Sequence, residues 1–406
     1  MAAHQRGRLI GAMVEAVERH GYGAVSVAEV VALAGVSKGA FYANFADKQD
    51  CFLATYEEIV ELGSAQIEAA YGEAEGAEER LRAAFGAFLA LATAYAPAGR
   101  LVFLASLEVG AAAVPAREQA GARFEAVLVE SFAEVDSPHP VSPLVIRAIV
   151  GGTREVVYRR MHAEEAERLE AEIETLVEWG LGYHRGAGRS SLAGLGAFEA
   201  PGQTDPLDWE EPPGSKRARR ELSQRERIIR ATAQIAAAEG YPALTVGSIS
   251  SRAGTSNQTF YANFDSKAGA FLAAFDVLAG RAFERTAEAF GSHQGWLEAG
   301  AAGIMALLGH FAADPLHRRL IFFELAAAGP EALGRAEAML DAFIGFLEPE
   351  ELPAEVPLRP PRVVLEALAG GIWAVVEHEV AAGRGDSLAE LAPELIDFVL
   401  VAFGTE

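Results

Sequence analysis

The chain has 406 residues, just over half of them hydrophobic, with 34 basic and 57 acidic residues and a formal charge of −23. This length allows two or more domains with sizeable cores, and the acidic total argues against a protein that coats nucleic acid nonspecifically. The single cysteine excludes an internal disulfide and fits a reducing compartment. Helix-forming residues dominate, so the composition predicts an all-α fold.

The chain shows no signal for export or membrane insertion. Its first residues, MAAHQRGRLIGAM, lack the hydrophobic region of a signal peptide. We expect no apolar stretch as long as the roughly 18 residues of a membrane span. The sequence therefore predicts a cytoplasmic protein with no membrane partner.

Residues 1–55 have the pattern of a small three-helix domain, which is called a head below. A first helix with an apolar face ends near Gly21. Ser26 is placed to cap a short second helix, Gly35 supplies a tight turn, and Ser37 caps a short third helix. Two short helices joined by a glycine turn, over a longer first helix, are typical of a helix-turn-helix.

Residues 56–184 show longer helical patterns with many aromatic side chains, and residues 275–406 show the same. An apolar ligand pocket between helices would use such residues, although ordinary helix cores use them too. The candidate ligand-binding residues are Phe88, Phe103, Phe124, Phe311, Phe322 and Phe343. No polar constellation identifies the ligand.

Residues 185–222 are rich in Gly, Pro and Ser and lack helical periodicity, which predicts a flexible linker. The linker ends in a basic cluster, KRARR, and its candidate DNA-contacting residues are Arg217, Arg219 and Arg220. Basic arms of this kind follow the DNA backbone or enter a minor groove. A solvated charge run is the alternative interpretation.

The sequence after the linker repeats the sequence before it. The motif FYANF begins at Phe41 and again at Phe260, which is 260 − 41 = 219 residues later. Two positions separated by 219 residues are called equivalent positions below. From Arg8 to Leu53, 18 of 46 positions are identical to their equivalents, without a gap. The register persists to the paired glycines at 151–152 and 370–371. The chain is therefore two tandem units, 1–184 and 223–406, called here the first and second repeat, with a second head at 223–274.

The pattern [ST]-V-x-x-[VI]-x-x-x-A-G-x-S-x-x-x-F-Y-x-N-F-x-x-K, present in both heads, closely resembles the DNA-binding domain of tetracycline-repressor-like (TetR family) transcription regulators. The resemblance covers residues 6–60 and 225–280. It implies an all-helical protein whose heads enter successive major grooves, whose last two helices dimerise, and whose larger domain binds a small ligand. With both heads on one chain, it implies an intramolecular pseudodimer in which residues 143–182 pack on residues 361–402. The paired glycines would allow such close packing, unless these are ordinary core helices within each unit.

The resemblance also names the residues expected to contact double-stranded DNA. In the first head they are Ser26, Ser37, Lys38, Gly39, Ala40, Tyr42 and Lys48. In the second head they are Thr245, Ser256, Asn257, Gln258, Thr259, Tyr261 and Lys267. Hydroxyls, ammonium groups and helix N-termini suit phosphate oxygens. The repeated phenylalanines are expected to pack in the core.

The two heads differ in charge and in the residues at their tips. Residues 216–272 hold nine basic and four acidic residues, a net +5, whereas residues 1–53 hold five of each. Lys38 can donate to guanine, and Asn257 or Gln258 can pair with adenine. These differences predict an asymmetric operator, with the second head supplying most of the phosphate attraction.

We therefore interpret the chain as a ligand-responsive repressor that acts as a covalent pseudodimer, with further self-association open. The alternative is a ligand-binding or protein-interaction module that has lost operator binding in one or both heads. The sequence lacks the motifs GxxxxGK[ST] and HExxH, so we expect no enzyme activity, no cofactor and no metal.

Overall fold

The computed structural model of the chain describes residues 2–134, 140–183, 223–348, 356 and 358–404. Within these ranges the chain is helical and contains no strand, which confirms the all-α prediction. The predicted linker, with Arg217, Arg219 and Arg220, lies outside the described residues. The predicted domain boundaries remain predictions.

The first repeat contains ten α-helices and one π-helix in its described ranges. The helices are α1 (Ala2–Ala24), α2 (Val27–Ala34), α3 (Lys38–Tyr42), α4 (Lys48–Glu73), α5 (Ala77–Ala94), α6 (Ala96–Arg100), the π-helix (Leu101–Ala105), α7 (Ser106–Glu108), α8 (Val114–Glu134), α9 (Pro143–His162) and α10 (Arg168–Gly182).

The second repeat has the same order in its described ranges, except that no α-helix corresponds to α7. The helices are α11 (Gln224–Glu239), α12 (Val246–Ala253), α13 (Asn257–Tyr261), α14 (Lys267–Gly291), α15 (Trp296–Ala313), α16 (Pro315–Arg319), a second π-helix (Leu320–Glu324), α17 (Pro330–Ile344), α18 (Arg362–Ala381) and α19 (Ala392–Ala402). The two π-helices lie at equivalent positions. π-Helices are rare in proteins, and those that occur are often found at functional sites. The π-helical segment that both repeats share is therefore a candidate functional element.

Contacts divide the chain into two compact bodies. The first body consists of Met1–Ser191, Ala354–Val375 and Asp397–Glu406, and the second of Leu192–Pro353 and Val376–Ile396. The first body therefore includes most of α18 and the end of α19, which belong to the second repeat.

Each head is built on a small apolar core. In the first head, Leu9 of α1, Phe41 of α3 and Phe52 of α4 are fully buried in one cluster. Burial of each such side chain contributes about 1.5–3 kcal/mol. Cys51 lies in the same cluster, and burial raises the pKa of its thiol to about 12, so it is a packing residue and not a reactive one.

An apolar helix of the second repeat corrects one expectation from the sequence. Within the described residues, α15 is long and apolar enough to cross a membrane by length and composition. Its residues Ala301, Leu308 and Phe311 are buried within the second body, where α15 packs against α14. This burial is what a core helix requires.

In the first body, α9 and α18 approach each other at four glycines. A Cβ added to Gly152 would lie 2.8 Å from the carbonyl carbon of Ala367, and one added to Gly371 would lie 2.5 Å from the carbonyl oxygen of Ala148. Ala148 and Ala367 are themselves equivalent positions, so each of these two contacts is the counterpart of the other in the repeats.

A second pair of contacts follows the same rule. A Cβ on Gly151 would collide with the Cβ of Ala374, and a Cβ on Gly370 would collide with the Cβ of Glu155. Glu155 and Ala374 are again equivalent positions. Each of these contacts of α9 with α18 therefore has a counterpart in which the equivalent residue of the other repeat takes each place.

We expect Gly152→Ala to lower the free energy of unfolding by about 1–3 kcal/mol, because the new methyl group overlaps the backbone of Ala367 and cannot be relieved by a rotamer change. Urea denaturation measures the loss. Gly86→Ala in α5 is the matched control, because no atom lies within 4 Å of its added Cβ. That control should gain about 0.5–1 kcal/mol from helix propensity. Equal effects of the two changes would contradict the close approach.

Candidate functional site

The turn of the helix-turn-helix has the same geometry in both heads. The hydroxyl of Ser26 accepts a hydrogen bond from the backbone N–H of Glu29 at 3.2 Å, and Thr245 caps α12 in the same way at 3.0 Å. Gly35 and Gly254 end these helices with φ near +60°, a conformation that favours glycine. The sequence prediction of caps and turn is confirmed.

The short helix after the turn is capped at its exposed end. The hydroxyl of Ser37 accepts from the N–H of Ala40 at 3.1 Å, and that of Ser256 accepts from the N–H of Thr259 at 3.0 Å. Ala40 and Thr259 are half-buried, at the base of the tip. The side chains exposed beyond the caps are Lys38 in the first head and Asn257 and Gln258 in the second, and Gly39 is exposed beside Lys38.

The repeated FYANF residues divide into a buried and an exposed set. Phe41 and Phe260 are fully buried, which confirms the expected packing role. Tyr42 and Tyr261 are each 59% exposed, so their hydroxyls are available for a partner. The structure thus places each tyrosine outside the phenylalanine core that supports it.

The asparagine of the motif closes the end of the short helix. Asn44 Nδ2 donates to the carbonyl of Ala40 at 2.7 Å, and Asn263 Nδ2 donates to that of Thr259 at 2.8 Å. Both asparagines are half-buried. The repeated amide therefore has a structural role that the sequence did not assign to it.

Lys48 and Lys267, predicted to contact phosphate, lie against the segment that follows Gly21 or its equivalent Gly240, where the backbone leaves helical geometry. Lys48 Nζ donates to the carbonyl of Tyr22 at 3.0 Å and lies 4.2 Å from its ring centroid. Lys267 Nζ lies 4.8 Å from the ring centroid of Tyr241. Burial lowers the pKa of Lys48, although Glu108 opposes this shift. Both ammonium groups have internal partners in this conformation, and their phosphate contacts remain a prediction.

Several arginines counted in the charge of the heads hold the heads together. Arg8 donates to the carbonyl of Gly35 at 3.2 Å, and its equivalent Arg227 donates to that of Ala253 at 3.3 Å. Arg225 lies 5.1 Å from the ring centroid of Phe264. Its equivalent Arg6 lies 5.4 Å from the ring centroid of Phe45. Because equivalent arginines are engaged in both heads, these contacts leave the charge difference between the heads unchanged. The identity of residues 8 and 227 was the signal that marked this arginine.

A carboxylate of the larger domain binds the segment that follows Gly21 or its equivalent Gly240 in each repeat. Glu108 Oε2 accepts from the N–H of Gly23 at 3.0 Å, and Glu324 Oε2 accepts from the N–H of Tyr241 at 2.7 Å. The two glutamates are not equivalent positions, since Ala105 is the equivalent of Glu324. The repeat comparison therefore could not reveal this connection between larger domain and head.

The candidate ligand residues of the first repeat form one aromatic cluster. The ring of Phe88 stacks on that of Phe124 with centroids 4.7 Å apart and meets that of Phe103 edge-on at 5.9 Å. Phe124 is buried, and the other two are half-buried. The structure thus brings together the three residues that the sequence singled out.

The candidate ligand residues of the second repeat fall into two groups. Phe311 and Phe322 are buried and meet at 5.5 Å between ring centroids. Phe343 packs with Phe283 and Phe346 in a second aromatic group. In the second repeat, the candidate ligand cluster therefore consists of Phe311 and Phe322, and Phe343 is not part of it.

Beside Phe311 lies a pair of buried histidines that the sequence did not mark as a site. His310 Nε2 and His317 Nδ1 are 2.8 Å apart and share one hydrogen bond. His310 Nδ1, His317 Nε2 and Asp314 Oδ2 are buried without a partner among the described residues. In either tautomer, one outer nitrogen is an unused donor and the other an unused acceptor. No group of three potential metal ligands occurs in the described part of the chain.

This polar group has no counterpart in the first repeat. The positions equivalent to His310, His317 and Asp314 hold Leu91, Ala98 and Tyr95, respectively. In the second repeat, burial lowers the pKa of His310 to about 4, with Arg285 and Arg281 of α14 adding to the shift. Burial also lowers the pKa of His317. The two larger domains therefore differ in chemistry at the same place.

We expect His310→Leu, the residue of the first repeat, to flatten the acid dependence of stability. A folded-state pKa of about 4, below 6.5 in the unfolded chain, means that only the unfolded chain binds the proton between those values. The free energy of unfolding of the wild type should therefore fall by about 3 kcal/mol from this group as the pH drops from 6.5 to 4.

Urea titrations across this pH range measure the effect. Phe311→Leu is the control, because it changes packing beside the pair without removing an ionisable group. Its curve should run parallel to that of the wild type. A parallel curve for His310→Leu as well would contradict the buried neutral pair.

Comparison with known families identifies both heads. Residues 9–55 and residues 228–274 each match the N-terminal domain of bacterial regulatory proteins of the tetR family. The two matched ranges begin and end at equivalent positions. Comparison with curated proteins found no significant match.

Several solved structures resemble part of the chain. The fatty acid degradation regulator FadR from Bacillus halodurans is 21% identical, with a TM-score of 0.41, and the match covers 44% of this chain and 95% of that one. FadR from Bacillus subtilis, in complex with stearoyl-CoA, is 18% identical, with a TM-score of 0.39 and coverage of 43% and 96%. A gamma-butyrolactone receptor (ArpA-like protein) is 25% identical, with a TM-score of 0.29 and coverage of 42% and 98%.

Proposed function

We propose that this chain, in which residues 9–55 and 228–274 each match the N-terminal domain of tetR-family regulatory proteins, is a ligand-responsive repressor that engages one operator with both heads. The observation that carries the proposal is the geometry of the two tips. Each presents a capped short helix and an exposed tyrosine on the same buried phenylalanine frame. The helix N-terminus and the tyrosine hydroxyl suit DNA phosphates, and the tip side chains suit base edges.

The proposed functional form is a covalent pseudodimer. The paired contacts of α9 with α18 support it. In a twofold dimer interface each contact occurs twice with the roles of the two partners swapped, and equivalent residues of the two repeats form such pairs. A helix-turn-helix dimer places its heads in major grooves one helical turn, about 34–36 Å, apart. In the proposed pseudodimer, one chain would supply both heads without a second copy.

The proposed operator is asymmetric because the tips differ while their frame is the same. Lys38 presents a single ammonium group, which suits guanine O6 or N7. Asn257 and Gln258 present amides, which suit adenine N6 and N7. We therefore expect sequences selected from a random pool to contain two unlike half-sites, and a clean palindrome would contradict the proposal.

The double variant Asn257→Ala, Gln258→Ala should weaken operator binding more than Lys38→Ala does. The double variant removes two amide side chains, each able to form a bidentate contact worth about 1–3 kcal/mol of discrimination, whereas Lys38→Ala removes one ammonium group. Mobility-shift titrations at one salt concentration measure both losses, since affinity depends steeply on salt. Gln66→Ala, an exposed change in α4 away from the tips, is the control and should have no effect. Equal losses for the tip variants would contradict the assignment.

We propose that the two larger domains respond to different ligands. In the first repeat, the aromatic cluster of Phe88, Phe103 and Phe124 supports an apolar ligand. In the second, the unpartnered nitrogens beside Phe311 support a largely apolar ligand with one acidic group, which Arg281 and Arg285 would favour. The carboxylates of Glu108 and Glu324 offer a direct route from each larger domain to its head.

Decanoate is a suitable probe of the second larger domain, with decanol as the matched neutral compound. We expect decanoate to raise the melting temperature and release operator DNA, and decanol to do neither. His310→Leu should weaken decanoate binding about tenfold or more, because a hydrogen bond to a charged group is lost. Equal binding of decanoate by the variant would contradict the acidic-ligand proposal while leaving the operator proposal intact.

The competing function is a ligand-binding or interaction module whose heads no longer bind an operator. The balanced charge of the first head favours it for that head. A salt-dependent, sequence-specific mobility shift with the DNA upstream of the gene supports the regulator, and its absence supports the module. Action on DNA also agrees with the cytoplasmic location expected from the sequence.

A further inference from the structure

A buried ion-pair triad in the first body joins residues of both repeats. Arg160 Nε and Nη2 donate to Glu172 at 2.8 and 3.0 Å, and Nη2 also donates to Glu366 at 2.6 Å. Arg160 and Glu366 are each 7% exposed. Arg160 and Glu172 belong to the first repeat and Glu366 to the second. One guanidinium is therefore shared between carboxylates of the two repeats.

The charges at these positions are reversed between the repeats. The residue equivalent to Arg160 is Glu379, and the residue equivalent to Glu366 is Arg147. Arg147 forms ion pairs with Glu118 and Glu125 in the first body. The first repeat is thus positive at both positions and the second repeat is negative at both.

This reversal makes the outcome of pairing depend on which repeats meet. A first repeat paired with a copy of itself in the same geometry would place Arg160 against Arg147. A second repeat paired with a copy of itself would place Glu366 against Glu379. Only the pairing of unlike repeats places opposite charges at this contact. Like pairing would remove Glu366, one of the two carboxylates that the buried guanidinium of Arg160 contacts, and loss of a partner from a buried ion pair is destabilising.

The glycine contacts do not discriminate among these pairings. Both repeats have the paired glycines, so either one paired with a copy of itself would keep the small residues at the crossing. Close approach is therefore permitted in every combination. The choice of partner must come from the side chains around the crossing, and the buried charges are the first of these.

An aromatic contact in the first body adds a size requirement. Trp179 meets Phe398 with ring centroids 6.0 Å apart, and these two residues are equivalent positions. Tyr183 donates from its hydroxyl to the carbonyl of Phe398 at 2.9 Å, whereas its equivalent is Ala402. A pair of first repeats would crowd two tryptophans and two tyrosines into this contact. A pair of second repeats would leave a cavity at each position that the Tyr183 side chain fills. Overpacking and cavities both destabilise a core.

We propose that the surface formed by α9 and α10 accepts only the α18 and α19 surface of the other repeat, so that neither repeat pairs with a copy of itself. This inference rests on the pseudodimer proposed above. The partner that each surface fits is the other half of the same chain. The first repeat has positive charges and large side chains where the second has negative charges and smaller side chains. Every paired molecule then carries one head of each kind, and the asymmetry of the operator is built into the protein.

A nicked full-length protein tests the proposal. A protease site inserted between residues 185 and 222 is cleaved after folding, and an isotope-labelled batch is mixed with an unlabelled one. Native mass spectrometry then follows exchange of the halves. We expect labelled and unlabelled halves to recombine only as complexes of a first with a second repeat. Homotypic complexes in statistical proportion would overturn the proposal.

Failure of the underlying pseudodimer has a different signature. If the repeats do not pair, cleavage releases two separate monomers at once. Homotypic complexes would instead mean that the repeats pair without the proposed selectivity. The two failures are therefore distinguishable in one spectrum.

Charge variants test the contact itself. Glu366→Arg should weaken the unlike pairing at least about a hundredfold and make complexes of two second repeats detectable, because the new guanidinium can meet Glu379. Adding Arg160→Glu restores one guanidinium between two carboxylates and should recover most of the unlike pairing. Circular dichroism of the intact variants checks folding. A double variant no better than the single one would overturn the role of this ion pair.

Discussion

The arrangement of the first body depends on the close approach of α9 to α18, at positions where no side chain fits. At Gly152 and Gly371 the helix backbones themselves are in contact, so every neighbouring side chain is placed by that distance. Dispersion forces weaken steeply over a fraction of an ångström, and packed interiors transmit such shifts. The shared guanidinium of Arg160 and the aromatic contact of Trp179 both require this spacing. The proposed cooperation of two heads on one operator depends on it as well.

Within each head, the residues that hold the frame are separate from those that would read DNA. Phe41 and Phe260 are buried, and the backbone caps at Ser37 and Ser256 are formed in the same way. The exposed tip residues Lys38, Asn257 and Gln258 lie outside this frame. Because the frame is stable without them, the tips were free to diverge after duplication, and the base preference of each head is free to differ.

The larger domains diverged more deeply than the heads, and the contrast has a physical reason. Where the first repeat has the apolar pair Leu91 and Ala98, the second has His310 and His317, whose buried outer nitrogens need partners. A ligand with a polar group can meet that need, which gives such a replacement a function. The connection to the head also moved, from Glu108 in one repeat to Glu324 in the other, while the carboxylate contact itself was kept.

The sequence by itself determined the helical class, the duplication, the caps and turns of both heads and the burial of the repeated phenylalanines, because these follow from local propensity and spacing. Only the tertiary structure decided what Lys48 and Arg8 contact, that His310 and His317 are adjacent, and that Arg160 meets Glu366. Those contacts join residues distant in sequence or on different helices, and their geometry depends on how whole helices pack. Spacing along a chain contains no such distance until the helices have been brought together.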